Sequence, residues 1–272
     1  MKIITGLLLS IFILAPHVAA QEGVYKFELN KPYKYYIEGK NETTQDAMGQ
    51  TMNFSSESTA AFEFNFTKQN EDGSYSGTIK IEGVALIRNT PQGMETSGSD
   101  LAGKEYTLTL APTGELLDYD TTIGSLSTTE ASMVRQMMGG LPRLNPALIE
   151  DEEDWNFEDT DTLGSAESPL MMESESTYEV DGEEDVNGVS CMKIVFNTEG
   201  KISGEGSQRG MEFNVIGDSK GSGVILFDKE SSVIRKMTNE STMEQVITPT
   251  NNPGMKINVT TSGSQTVELL EE

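Results

Sequence analysis

Short segments in which apolar and polar residues alternate one by one recur along this chain, and that period of two dictates half-buried β-strands. In YKYYIEG, Tyr33, Tyr35 and Ile37 share a face. In AFEFNFTK, Phe62, Phe64 and Phe66 point one way while Glu63, Asn65 and Thr67 point the other. YTLTL aligns Tyr106, Leu108 and Leu110, MEFNVIG aligns Met211, Phe213 and Val215, and MKINVTT aligns Met255, Ile257 and Val259. TIKIEGVALI starts with Ile79 and Ile81 in phase and slips to Val84 and Leu86, which a β-bulge at Gly83 explains. GVILF, at 223–227, is apolar on both faces and reads as a central strand. About ten such segments, separated by glycine, asparagine and aspartate, predict a mainly β fold built on one large antiparallel sheet.

One helix interrupts the pattern. STTEASMVRQMMGG, at 127–140, opens with a capping box of Ser127 and Glu130 and carries Ala131, Val134, Met137 and Met138 at helical spacing. Gly139 supplies a stop, and Pro142 and Pro146 are expected to prevent the helix from resuming. It reads as the principal helix of the fold, too short to stand without a sheet beneath it. EDEEDWNFEDTD, at 150–161, follows it, and no lysine or arginine occurs between Leu144 and Met192. Mutual repulsion predicts a solvated connector there, pinned to the sheet by the lone tryptophan, Trp155. These features divide the chain into a leader at 1–20 and one β-rich domain at 21–272, in which the stretches at about 25–125 and 175–272, joined by the helix and the acidic connector, are similar either as two halves or through generic hairpin chemistry alone.

The leader is read from Lys2, an apolar run from Ile3 to Leu14, and small residues at Val18 and Ala20, the order of a secretory signal peptide cleaved before Gln21. No cysteine stands near that point to take a lipid anchor, so a soluble periplasmic or extracellular product is expected. Cleavage removes His17, the only histidine, and with it imidazole as base, triad member or metal ligand. Cys191, the only cysteine, lies in the alternating VSCMKIVF and reads as a buried strand residue. The net charge of −25 disfavours nucleic acid and anionic membranes as partners.

Other chemistry is sparse. DTDTLGSAE begins like a calcium loop at Asp159, but Leu163 and Leu170 stand where oxygen ligands are needed, leaving Asp159 and Asp161 as candidates for a looser cation site only. Acids on a linear run do not supply the fixed carboxylate pair of a glycoside hydrolase, and no Asp-Thr-Gly or Asp-Ser-Gly occurs. The chain therefore reads as no enzyme, with no cofactor. Methionine thioethers bind copper(I), yet Met137 and Met138 on the helix stripe read as packing, and methionine also suits a surface that adapts to apolar ligands.

The leader ending AAQEG, the strand YKYYIEG, the pair LPRLNP and EDW, and YEVDGEEDVNGVSCMKIVF followed by GSGVILFDKESSVIRKM resemble a family of secreted bacterial β-rich proteins, distantly similar to periplasmic lipoprotein-carrier and lipid-binding proteins. The resemblance implies a strongly curved, half-barrel-like antiparallel sheet with the helix across its concave face, over an apolar groove. Carried onto this chain, Met133, Val134, Met137 and Met138 cover the groove, and Tyr35, Phe64 and Phe213 line it. The expected function is non-catalytic binding of a lipid or acyl chain. The alternative is an envelope interaction protein whose acidic surface takes calcium or a basic partner.

Overall fold

The computed structural model describes residues 24–90, 93–97, 99–126, 128–138, 141–165, 168–208 and 211–270. The leader, Ser127, Gly139 and Glu167 lie outside them. Twelve strands form one antiparallel sheet: β1 (Pro32–Ala47), β2 (Gln50–Gln69), β3 (Tyr75–Thr90), β4 (Gly93–Ser97), β5 (Glu105–Leu110), β6 (Leu116–Tyr119), β7 (Trp155–Ser165), β8 (Ser168–Val186), β9 (Val189–Gln208), β10 (Met211–Asp228), β11 (Val233–Pro249) and β12 (Ile257–Leu270). The order is β6-β5-β3-β2-β1-β12-β11-β10-β9-β8-β7, with β4 paired to β3. Almost every connection is a hairpin. The one long-range pairing joins the first strand to the last, from Lys34 opposite Leu270 to Ala47 opposite Ile257.

Such an order is a meander whose two edges, β6 and β7, are left unpaired with each other. Laid flat, ten steps of about 4.8 Å would hold those edges about 48 Å apart. They are not so held. Arg143, from the segment between them, bonds Glu115 at the foot of β6, stands 4.0 Å from Asp159 on β7, and lays its guanidinium 4.8 Å from the Phe157 ring centre. Tyr25 likewise donates its amide to Pro112 beside β6 while its ring meets Phe227 of β10 at 6.0 Å. The sheet is therefore rolled at this end without closing into a barrel.

The rolled end is filled. Along β2, Phe62 meets Phe64 edge to face at 5.3 Å, Phe64 stacks on Phe66 at 5.8 Å, and Phe27 lies on Phe66 at 4.3 Å. Such pairs add about 0.5–1.5 kcal/mol each to the burial of the rings themselves. The segment between β6 and β7 completes the core with α1 (Thr128–Met138) and α2 (Pro146–Glu150), whose Ala131, Val134, Met137, Met138, Leu148 and Ile149 are all buried. The stripe on α1 thus falls where its spacing puts it. As a layer, however, the helices are minor, eleven residues and five, so among the described residues no principal helix crosses the sheet. Pro146 also starts a helix instead of preventing one. It occupies the first turn, where a missing N–H costs nothing, and Asn145 caps the Ala147 amide.

Two further expectations change in form. The register of β3 against β2 jumps from Gly83 opposite Ala61 to Ile81 opposite Phe62, which is the bulge read at Gly83. The acidic stretch is no connector beyond residue 154, because from Trp155 it is the edge strand β7, paired along its length to β8. Charge is favourable on an edge, where it discourages pairing with another chain. Trp155 does act as a pin, 5.1 Å from the Tyr178 ring and packed against the core. No helix among the described residues is long and apolar enough to cross a membrane.

Candidate functional site

Six of the seven residues expected to cover or line a ligand groove meet in one place, with Trp155 among them, but that place is full. Tyr35, Phe64, Val134, Met137 and Met138 are buried in the core, with Met133 and Trp155 partly buried against it. Tyr35 donates its hydroxyl to the Ile234 carbonyl at 3.3 Å, and burial pushes its pKa well up, as befits a neutral structural phenol. Phe213 is absent from this cluster. It lies at the opposite end of the sheet, half-buried near the start of β10.

That end holds a surface which no single strand discloses. Cross-strand partners share a face, so the ladder joins the inward residues of seven consecutive strands. From the core outward, Ile37 pairs with Ala60 and Val267, Gly39 with Ser58 and Gln265, Asn41 with Ser56 and Gly263, Thr43 with Phe54 and Thr261, and Gln45 with Met52 and Val259. The series continues through Met237, Asn239, Ser241, Met243, Gln245 and Ile247 of β11 to Ile225, Gly223, Gly221, Ser219, Gly217 and Val215 of β10. It ends on Thr198, Gly200 and Ile202 of β9 and Ser176, Ser174 and Met172 of β8.

No charged residue occurs on the inner face of β2, β1, β12, β11, β10, β9 or β8 between the core and the far turns. Every lysine, glutamate and aspartate in those stretches points outward, in a chain that is 23% charged. Exposure is reduced at the apolar inner positions. Met52, Phe54, Met243, Ile247, Ile257 and Val259 are half-buried, and Ile202 and Val215 are buried, while their outward neighbours such as Glu57, Lys201, Glu244 and Thr260 are exposed. The two helices and residues 24–27 pack into the core at the other end.

The floor of this trough is cut low. All eight glycines of β1, β9, β10 and β12 lie on the inner face: Gly39, Gly200, Gly204, Gly206, Gly217, Gly221, Gly223 and Gly263. A methyl at Gly223 would meet the Phe196 ring at 2.6 Å, and one at Gly263 would meet the Asn41 amide oxygen at 2.3 Å. Glycine there lets side chains of adjoining strands lean across a tightly rolled sheet. Two rows of uncharged polar groups, Ser58, Gln265 and Asn239, then Ser56, Asn41 and Ser241, separate the core from an apolar zone nearer the far turns.

The acidic candidates are placed differently. Asp159 faces Arg143 and accepts from the Thr160 amide at 2.9 Å. The Asp161 side chain lies outside what is described. Among the described residues no three His, Cys, Asp or Glu gather as a metal site requires. On the outer face an open depression of about 620 Å³ is lined by Glu158, Glu173, Glu175, Glu199, Asp218 and Glu244, with Lys201 and Lys220 among them. Cys191 is buried on β9, and burial raises its thiol pKa, which keeps it protonated and inert.

No protein-family model matches the chain, nor does any curated protein. Among solved structures, lipovitellin, described for its lipid–protein interactions, is similar over 90% of this chain at 12% identity with a TM-score of 0.54. The chain spans about a quarter of that protein, 26% of its length. The MucA/MucB complex of Pseudomonas aeruginosa aligns at 8% identity over 84% of this chain and 88% of that one, with a TM-score of 0.23. A DUF1329 family protein from Desulfovibrio piger aligns at 9% identity over 85% and 83%, with a TM-score of 0.14. The lipovitellin likeness shows a shared large-sheet fold.

Proposed function

We infer that this protein is a non-catalytic binder, exported from the cytoplasm, that holds an apolar ligand such as a lipid or acyl chain against the inner face of its rolled sheet. The carrying observation is the absence of charge from seven strands on a face the helices leave uncovered. Water alone gives no reason to exclude lysine and glutamate from half-exposed positions, whereas a bound hydrocarbon does, since an unpaired charge beneath it costs several kcal/mol. The surface is rolled and uncharged, with apolar side chains nearest the far turns and neutral hydrogen-bonding groups between them and the core, the kinds of group that line small-molecule sites. The fold shared with lipovitellin agrees with this reading. The ligand thus sits beyond the core, near Phe54, Met243 and Phe213, and not beneath α1.

Native mass spectrometry of protein purified without detergent, before and after solvent extraction, tests it. The expected result is a co-purifying lipid mass that disappears in a Phe54→Glu/Met243→Glu variant with an unchanged circular dichroism spectrum. Bare polypeptide in the wild type, or equal loading in the variant, would defeat the reading.

A further inference from the structure

Two rows of uncharged polar side chains cross the trough between the filled core and the apolar zone: Ser58, Gln265 and Asn239 in one, Ser56, Asn41 and Ser241 in the next. Polar groups in such a place ordinarily satisfy one another. Their neighbours on the same face do. Thr43 and Thr261 share a hydrogen bond of 3.0 Å, and Ser176 and Thr198 one of 2.7 Å. The six side chains of the band make no such bond to any other described residue, and none of their polar atoms is sealed in the interior. Ser56, Ser58, Asn239 and Gln265 are nonetheless half-buried. The band also forms the floor itself, because the Asn41 amide lies over Gly263 and the Ser58 hydroxyl over Gly39, in space that a side chain on either glycine would take.

We propose that this band receives the polar end of the ligand, and that the ligand is an uncharged lipid of the acylglycerol class, its acyl chain running from the band toward the far turns. The inference rests on the lipid-binding reading of the inner face. Asn41, Asn239 and Gln265 each offer an amide that both donates and accepts, and the serine hydroxyls do the same, which matches ester carbonyls and glycerol hydroxyls. Charge decides between lipid classes. A carboxylate or phosphate seated on the band would leave water with no cation opposite it. Between the core and the far turns, the first inward-facing charges on either side belong to the flanking strands: Arg88 of β3 sits beside Ser56 but directly opposite Glu95, and Asp159 of β7 faces Arg143. Each is set against its opposite, which leaves no cation for a headgroup. Length agrees as well. From Asn41 to Ala47 β1 rises about 20 Å, room for a long acyl chain laid along the strands over Phe54, Met243, Val259 and Ile257.

The test is equilibrium dialysis of the full protein against two radiolabelled lipids that differ only in a phosphate, monooleoylglycerol and its phosphate monoester, each below its micellar concentration. Wild type is expected to bind the uncharged lipid at least roughly tenfold more tightly. An Asn239→Leu/Gln265→Leu variant removes amides that have no protein partner to lose. It should keep the thermal melt of wild type and bind monooleoylglycerol roughly tenfold more weakly. Asn239→Lys supplies the missing cation and should reverse the preference. Binding of the phosphate ester by wild type as tightly as the uncharged lipid would overturn the choice of ligand class. Undiminished binding of monooleoylglycerol by the double leucine variant would overturn the role of the band. Both results leave a lipid in the trough, whereas retention of neither lipid by wild type would defeat the lipid reading and this inference with it.

Discussion

Arg143 stands 4.0 Å from Asp159 on one edge strand while bonding Glu115 at the foot of the other, so a single guanidinium clasps the two ends of a sheet ten steps across. All three side chains are partly exposed, and solvent screens their attraction. Its position matters more than its strength.

Replacing Arg143 with methionine keeps the aliphatic stem and removes the clasp and the cation–π contact with Phe157. The expected loss is about 1 kcal/mol in a urea titration, reduced in high salt. Amide exchange should rise at β6 and β7 and remain unchanged at β1 and β12 in the middle of the sheet. A uniform rise would show that the clasp does not hold the edges.

Asp228, almost wholly buried, closes the β10–β11 hairpin by accepting from Arg235 at 2.8 and 3.1 Å, from the Ser231 hydroxyl and from two turn amides. Burial alone would raise its pKa, but the hydrogen bonds from Ser231 and Arg235 win, and the net shift is downward from 3.8. A depressed folded-state pKa stabilises above the unfolded value and ceases to do so as the pH falls through the folded one. Asp228→Asn should therefore cost about 3 kcal/mol at neutral pH by removing the charge from its buried pair with Arg235. The gap between variant and wild type should narrow on acidification below about pH 3.8. A gap that stays constant below that range would show that the carboxylate's charge is not what matters.

How much of this could be read from the chain depends on range. Phe62, Phe64 and Phe66 declare their common face in five residues, and Ala131, Val134, Met137 and Met138 declare theirs in eight, because local periodicity encodes them. The pairing of β1 with β12 has no local signal. Without it, the charge-free face of seven strands cannot be assembled. Aromatic rings and a methionine helix looked like a groove for the same reason that they make a good core, and only packing separates the two. Phe213 is the one candidate residue at the end of the sheet that the helices leave uncovered. The acidic run misled because repulsion argues against burial, whereas β7 needs burial on one side only, at Trp155 and Phe157.

Glycines in the trough should differ sharply from the glycine at the bulge. A methyl at Gly223 would sit 2.2 Å from the Thr238 carbonyl oxygen and 2.6 Å from the Phe196 ring, so Gly223→Ala must move backbone and is expected to cost about 2 kcal/mol. At Gly83 nothing lies within 4 Å and φ is not positive, so Gly83→Ala should be neutral or stabilise by up to about 1 kcal/mol. Thermal melts of the two variants should move in different directions. No loss of stability in Gly223→Ala would mean that the inner face has slack there.

Core and trough are separated most cleanly at Met138. Its side chain is fully buried, so Met138→Ala should lower stability by about 3 kcal/mol through the cavity it leaves, and Met138→Asp should fail to give folded protein. Neither change reaches the inner face beyond Gly39, so the folded fraction of Met138→Ala should carry as much lipid as wild type. Phe54→Glu, half-buried and beyond the core, should do the reverse, keeping the melting temperature nearly unchanged while emptying the trough. If Met138→Ala instead left stability intact and released the lipid, the space beneath α1 would be the binding site. The plugged end would then have to open.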